Sequence, residues 1–474
     1  MRRITIAGIL FLFCFHCWGQ SKKPDYTEMI NVIDLWLDAQ RDFDKLPGIS
    51  VAIVHDQDII FKKGYGFADV EKKIPMKPET IFSICSISKL FTSVAIMQLW
   101  EQGKLRLDDS LQALLPDYKI NQQYSESVPI TVRSMLTHSS GLTRDADSSW
   151  NAPNFYFLTK EELKKSLIKE ETLYPSSTYF QYSNLAMSFL GEIVATKTDK
   201  TYNNYIEQNI LKPLQLTNTH PYLPENLWRG EMATGYSALN RQGNRKMQPF
   251  FKTNAITPAA GYSSNVIDLA KFASWQLRLL STGKSEVLKQ STLKEMQRIQ
   301  WTSADKKLTQ GLGFMIKYNP AGASTIGHDG SCPGYVSVVM IDPKKKLGVT
   351  LMINAQGVDI YTYCNQIFSL LNMDIAEDTT TKNIDLAIYK GRYDSYAWSG
   401  EDIIVPYKGK LIKFEVPSNS PADDIEEYRY IKKDTFRKIR KDDKTLGEEL
   451  IFERDENGQI KNVRSFSFYM NKIN

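Results

Sequence analysis

The sequence predicts an α+β fold, because strand-forming runs lie on both sides of a long helical middle and a tail of short alternating segments follows them. Its 474 residues are 42% hydrophobic and 24% charged, an ordinary globular composition that excludes a collagenous, mucin-like or wholly disordered chain. At this length two domains, or one large domain with an appendage, are expected. Lys+Arg number 59 against 54 Asp+Glu, a formal charge of +5 that does not point to a nucleic-acid partner.

The chain opens with Met1-Arg2-Arg3, an apolar run from Ile4 to Phe15, and Cys17-Trp18-Gly19, with small residues where a signal peptidase inspects them. This reads as a secretory signal peptide over residues 1–19 and implies a periplasmic, cell-surface or secreted mature protein. The run falls short of the ~20 apolar residues of a spanning helix, and the bulky Phe15 and His16 disfavour a lipid anchor on Cys17. Cys14 and Cys17 leave with the signal, so Cys85, Cys332 and Cys364 remain, an odd number that rules out a complete disulfide framework. Once the signal is removed the remaining histidines are scattered and no Cys-x-x-Cys is left, which argues against a zinc enzyme.

From Tyr26 to Phe43, apolar residues at helical spacing predict an amphipathic helix ending before Pro47-Gly48. Ile49 to His55 and Ile59 to Gly66 predict a hairpin turned at Asp56-Gln57-Asp58. Ser86 to Gln102 reads as a buried helix closed at Gly103. Apolar periods stay mostly helical to about Ser263, a helical insertion broken by Pro-rich loops. Strand signals return at Gly313 to Tyr318, Gly334 to Ile341 and Leu347 to Ile353, followed by a helix from Val358 to Leu371. A polar stretch after Met373 suits a linker. Six short alternating runs between Tyr389 and Tyr469 then predict a small antiparallel barrel or sandwich, with packing against the main domain as its simplest role. The expected domains are 20–375 and 376–474.

The chemistry begins at Ser86-Ile87-Ser88-Lys89. A serine needs a base, and a lysine one helical turn later shares its helix face. The same spacing recurs at Ser166/Lys169, Ser281/Lys284, Ser291/Lys294 and Ser303/Lys306, which look like surface. Ser86 differs in opening a long apolar helix just after a strand, where the helix dipole favours an alkoxide; the plainer reading is an N-cap. Tyr182-Ser183-Asn184 precedes a helix and offers a second titrating group, the alternative being a surface tyrosine with Asn184 as a cap. Ile326-Gly327-His328-Asp329-Gly330-Ser331 sits before a strand, with glycines that let a ligand approach the backbone; a tight turn holding a satisfied histidine is the plainer account.

Taken together, these segments resemble the serine β-lactamase and penicillin-binding superfamily, in particular its class C β-lactamase-like branch with D-Ala-D-Ala carboxypeptidases, D-aminopeptidases and esterases. The resemblance runs from about Pro47 to Ala355 and includes Phe82 to Lys89, Gly103-Lys104-Leu105 with Leu107-Asp108-Asp109, Ile130 to Leu142, Tyr182-Ser183-Asn184 and Gly327-His328-Asp329-Gly330. It implies a β-lactamase/transpeptidase-like antiparallel sheet with flanking helices. It further implies Ser86 as acylated nucleophile, Lys89 as its proton partner, Tyr182 as general base and protonator of the leaving group, Asn184 as an orienting donor, and oxyanion donors at Ser86 and Ser331. His138 falls in a segment that looks structural in that family. The tail resembles the lipocalin-like barrels appended to such hydrolases.

Where many β-lactamases carry Lys-Thr-Gly, this chain has His328-Asp329-Gly330. A histidine is mostly neutral at pH 7 and anchors a carboxylate weakly, so peptides, D-amino-acid amides or small esters become the expected substrates ahead of β-lactams. The function expected is therefore an exported serine hydrolase working through an acyl-enzyme without metal or organic cofactor on a small-molecule or peptide substrate, including peptidoglycan-derived ones. A cell-wall D,D-carboxypeptidase or endopeptidase, a β-lactamase, and a catalytically inactive peptidoglycan- or partner-binding protein stand as alternatives.

Overall fold

The computed structural model describes residues 24–148, 150–151, 155–306, 308–318, 324–394, 396 and 400–473. The signal peptide expected over residues 1–19 lies outside the described residues. Helix α1 (Thr27–Phe43) leads into the hairpin of β1 (Gly48–His55) and β2 (Asp58–Asp69). Then come β3 (Ile74–Pro75), β4 (Phe82–Cys85), α2 (Ser88–Glu101), α3 (Val132–Leu136), α4 (Asn184–Thr198), α5 (Thr257–Ala260), β5 (Tyr262–Ser264) and α6 (Val266–Thr282). The chain re-enters the sheet through β6 (Trp301–Thr302), β7 (Thr309–Gln310), β8 (Met315–Tyr318), β9 (Ser324–Cys332), β10 (Tyr335–Asp342) and β11 (Leu347–Ile353), followed by α7 (Ile360–Leu371).

These strands form a nine-stranded antiparallel sheet in the order β3-β2-β1-β11-β10-β9-β8-β7-β6, while β4 and β5 pair separately. β1 is buried along its whole length because both of its faces are covered. Ile49, Val51 and Ile53 face a core shared with α1 and α7, whereas Ala52 and Val54 face the core built around α2 and α6. α2 is buried from Ser88 to Leu99, hence apolar nearly all round.

The tail closes into an eight-stranded barrel of β12 (Gly391–Asp394), β13 (Glu401–Tyr407), β14 (Lys410–Val416), β15 (Glu426–Lys432), β16 (Thr435–Ile439), β17 (Leu446–Arg454), β18 (Ile460–Ser465) and β19 (Phe468–Lys472). Two strands exceed the sequence expectation. β16 is masked by the adjacent charges of Arg437 and Lys438, and the run from Val463 to Tyr469 is broken by a turn in which Phe466 takes a φ of 54°. Tyr389, Tyr393, Phe436 and Phe452 fill one core of the barrel, while Ile403, Val405, Ile412 and Phe414 join α1 in the core beneath the main sheet. The Trp36 indole donates to Ser418 O at 3.0 Å, and Ser418 N–H donates to Gln40 Oε1 at 2.9 Å. Where a polar linker was expected after Met373, Asp378 is instead pinned to the barrel: its N–H donates to Lys408 O at 2.8 Å and its carboxylate accepts from Arg429 at 2.9 Å.

Candidate active site

Cys85 ends β4 with a φ of 52°, a left-handed conformation uncommon for a residue with a Cβ. The chain turns there, so Ser86 precedes the first turn of α2. Ile87 N–H donates to Ile84 O at 3.2 Å and Lys89 N–H to Ser86 O at 3.0 Å. The Ser88 hydroxyl fixes the turn, donating to Cys85 O at 2.5 Å and accepting from Tyr262 N–H at 3.0 Å.

Lys89 lies one turn further on and is completely buried. Its Nζ is 3.1 Å from Ser86 Oγ, 2.8 Å from Asn184 Oδ1 and 2.8 Å from Ala259 O. An ammonium donates to all three. A neutral amine has two N–H groups, which the amide and carbonyl oxygens take, and its lone pair then faces the serine hydroxyl. Burial drives the Lys89 pKa well below its ordinary value; Asp145 and Asp329 oppose that shift and Arg144 adds to it.

Tyr182 hydrogen-bonds the Ser86 side chain, and burial raises its phenol pKa against that bond. Lys89 Nζ stands 4.7 Å and Arg144 Cζ 5.4 Å from the centre of its ring. Asn184 does not cap α4. Ser183 does, its hydroxyl accepting from Ala186 N–H at 2.9 Å. The Asn184 amide is thus free to bridge Lys89 to Asp145, donating to Asp145 Oδ1 at 2.9 Å. His138 is buried with its ring 4.4 Å from that of Tyr182, and its Nδ1 accepts from Ser183 N–H at 3.2 Å. Burial holds its pKa well below the usual value, so it positions the Tyr182 turn as a neutral ring.

His328, Asp329, Gly330 and Ser331 occupy the last turns of the pleat in β9, a strand where a tight turn had been the plainer reading. β8 pairs with β9 only as far as Gly327, so from His328 onward that side carries no β8 partner. Gly330 is required here, because a Cβ would lie 2.2 Å from Ile84 O and 2.6 Å from Ser337 Oγ. The ring of His328 is buried 6.4 Å from that of Tyr182, and burial, against the pull of Asp329, pushes its pKa down to about 4. Its Nε2 has no hydrogen-bond partner among the described residues. The Asp329 carboxylate accepts from Tyr361 OH at 2.8 Å.

Sequence reasoning missed the disulfide between Cys85 and Cys332, with 5.6 Å between their Cα atoms. It joins the residue before Ser86 to the residue after Ser331, leaving Cys364 as the free, buried thiol among the described residues. The signal was present in that both cysteines adjoin site serines. No sequence pattern marked Asp145, the Ala259 carbonyl, or Gln356, whose Nε2 donates to Ser331 Oγ at 3.2 Å and Tyr335 O at 2.9 Å.

An antiparallel sheet flanked by helices, with a serine and a buried lysine one turn apart at the start of the central helix, defines the β-lactamase/transpeptidase-like superfamily. The profile of the Beta-lactamase family matches residues 35–363, and the chain belongs to that family. It is 28% identical over 313 residues to Protein flp of Staphylococcus aureus (strain MRSA252), covering 65% of this chain and 60% of that one. It is 26% identical over 362 residues to Beta-lactamase-like protein 4 of Dictyostelium discoideum, covering 72% of this chain and 63% of the relative. The chain thus spans about 60% of the length of the curated relatives it matches. Among solved structures, the octameric penicillin-binding protein homologue from Pyrococcus abyssi superposes with a TM-score of 0.64 at 23% identity over 94% of this chain and all of that one, a likeness of fold. No helix among the described residues is long and apolar enough to cross a membrane.

Proposed function

We propose that this protein is an exported serine hydrolase that cleaves amide or ester bonds of small or D-amino-acid-containing substrates through an acyl-enzyme on Ser86. The observation that carries this reading is the Lys89 environment: a buried amine whose two N–H groups have fixed acceptors, 3.1 Å from the serine hydroxyl. Ser86 Oγ attacks the substrate carbonyl while its proton passes to the Lys89 amine. Backbone N–H groups of Ser86 and Ser331 hold the developing oxyanion; the disulfide between their neighbours supports that pairing. Collapse expels the leaving group, which takes the Tyr182 phenol proton, and the Lys89 ammonium restores it. Water then attacks the acyl carbonyl as Lys89 takes its proton, and Lys89 returns that proton to Ser86 Oγ, which leaves as a hydroxyl and restores the neutral amine. The opposed pKa shifts of Lys89 and Tyr182 favour this division, with the amine as first acceptor and the phenol as donor.

His328, neutral at pH 7, supplies no fixed cation where Lys-Thr-Gly would, which favours esters, peptides and D-amides over β-lactams. A disulfide beside the nucleophile suits an oxidising compartment and so supports export. Turnover of p-nitrophenyl butyrate, D-alanine p-nitroanilide and a chromogenic cephalosporin by the wild-type and Ser86→Ala proteins tests the reading: Ser86-dependent hydrolysis of the ester or amide is expected, and no turnover or adduct with any of them overturns it.

A further inference from the structure

A pocket of about 430 Å³ is lined by Ser331 to Gly334, at and just beyond the end of β9, together with Arg144, Trp150 and Phe155. Among its described lining residues Arg144 alone bears a formal charge; the others are aromatic, small or neutral polar. The pocket therefore sets one cation beside an otherwise uncharged lining, an arrangement that attracts an anion.

Arg144 is also held in register with the catalytic groups. Its carbonyl accepts from Asn184 N–H at 2.7 Å and Leu185 N–H at 3.2 Å, which ties its backbone to the start of α4. The next residue, Asp145, is fixed by the Asn184 amide. The guanidinium itself is committed less: its ion-pair contact among the described residues is Nε to Asp145 Oδ2 at 3.4 Å, and the side chain is 61% exposed. That leaves the two Nη groups, which form the fork that matches a carboxylate, without an ion-pair partner among the described residues, while Cζ stands 5.4 Å from the centre of the Tyr182 ring.

We infer that Arg144 is a specificity-determining residue that binds a carboxylate of the substrate, supplying from the segment that follows α3 the cation that His328 does not supply from β9. This rests on the hydrolase reading for the word substrate, while the binding site itself does not. The carboxylate belongs either to the acyl portion or to the leaving portion, two sources of one chemistry that matched probes separate.

Binding is measured by calorimetry on Ser86→Ala protein, which needs no turnover, with two probe pairs: glutarate monoanilide against pentananilide, and N-acetyl-D-Ala-D-Ala against its C-terminal amide. In one pair the charged member is expected to bind about tenfold more tightly, ~1.4 kcal/mol, and the preference should weaken with added salt. Adding Arg144→Gln should abolish that preference, and Arg144→Lys should retain part of it. A preference in the first pair assigns the carboxylate to the acyl side; one in the second assigns it to the leaving side. Equal affinities within both pairs, or a preference that survives Arg144→Gln, overturn the inference. Absence of wild-type hydrolysis, measured separately, counts against the hydrolase reading and leaves this binding result standing.

Discussion

Lys89 Nζ stands 3.1 Å from Ser86 Oγ with its remaining hydrogen-bonding capacity absorbed by Asn184 Oδ1 and Ala259 O. The pair is within hydrogen-bond reach for direct proton transfer, with the amine's two N–H groups held by the other two acceptors. Lys89→Met should therefore lower kcat by about 10²–10⁴-fold, the usual contribution of a positioned base, with a far-ultraviolet circular dichroism spectrum like that of wild type. Retention of more than a tenth of the wild-type kcat contradicts the assignment.

Asn184 links Lys89 to Asp145, and Asn184→Leu removes both bonds at once. Since the amine then loses an acceptor that holds its lone pair toward Ser86, kcat should fall by roughly tenfold or more while the pH profile shifts. Steady-state kinetics across pH report both. An unchanged profile with only a changed KM means that Asn184 contacts substrate alone.

Gly330→Ala places a methyl group where Ile84 O lies 2.2 Å away, so β9 and the Ser86 turn must separate. Stability and kcat should fall together, measured by urea unfolding and by turnover. A variant as active as wild type shows that the contact between β9 and β4 is not needed for catalysis.

The Cys85–Cys332 bridge closes a loop across a sequence separation of 247. Replacing both cysteines by serine should cost about 2–4 kcal/mol of stability, read from denaturant midpoints under oxidising conditions. Reductant should bring the wild-type protein toward the same midpoint and leave the variant unmoved.

His328 has a folded-state pKa of about 4 against an ordinary 6.5, so in that interval the unfolded chain binds more protons. Its contribution is present in full above about pH 6.5 and is lost as the pH falls through 4, by up to about 3 kcal/mol. His138 adds to the same trend. Thermal unfolding at several pH values should show His328→Asn flattening this dependence, and an identical slope in both proteins contradicts it.

Much of this was legible in the sequence for physical reasons. α1, the β1–β2 hairpin, α2 and α7 carry their periods openly, and the Ser86, Lys89, Tyr182 and Asn184 cluster is set by local spacing joined to a recognisable order. β9 was harder to read because its glycines, His328 and Asp329 carry no strand propensity; its pairing with β10 and the close approach of Ile84 hold it extended. The disulfide and the Asn184–Asp145 contact join residues far apart in sequence, which no local pattern encodes. Arg144 reads as an ordinary loop residue until folding sets it over Tyr182.

The most direct test of the central claim is intact-mass and peptide-mapping spectrometry after incubation with p-nitrophenyl butyrate and with a slow fluorophosphonate or penicillin probe. A single adduct on Ser86, absent from Ser86→Ala and slowed by Lys89→Met, is the predicted result. An adduct on another residue, or none with any probe from a folded protein, contradicts an acyl-enzyme at this serine.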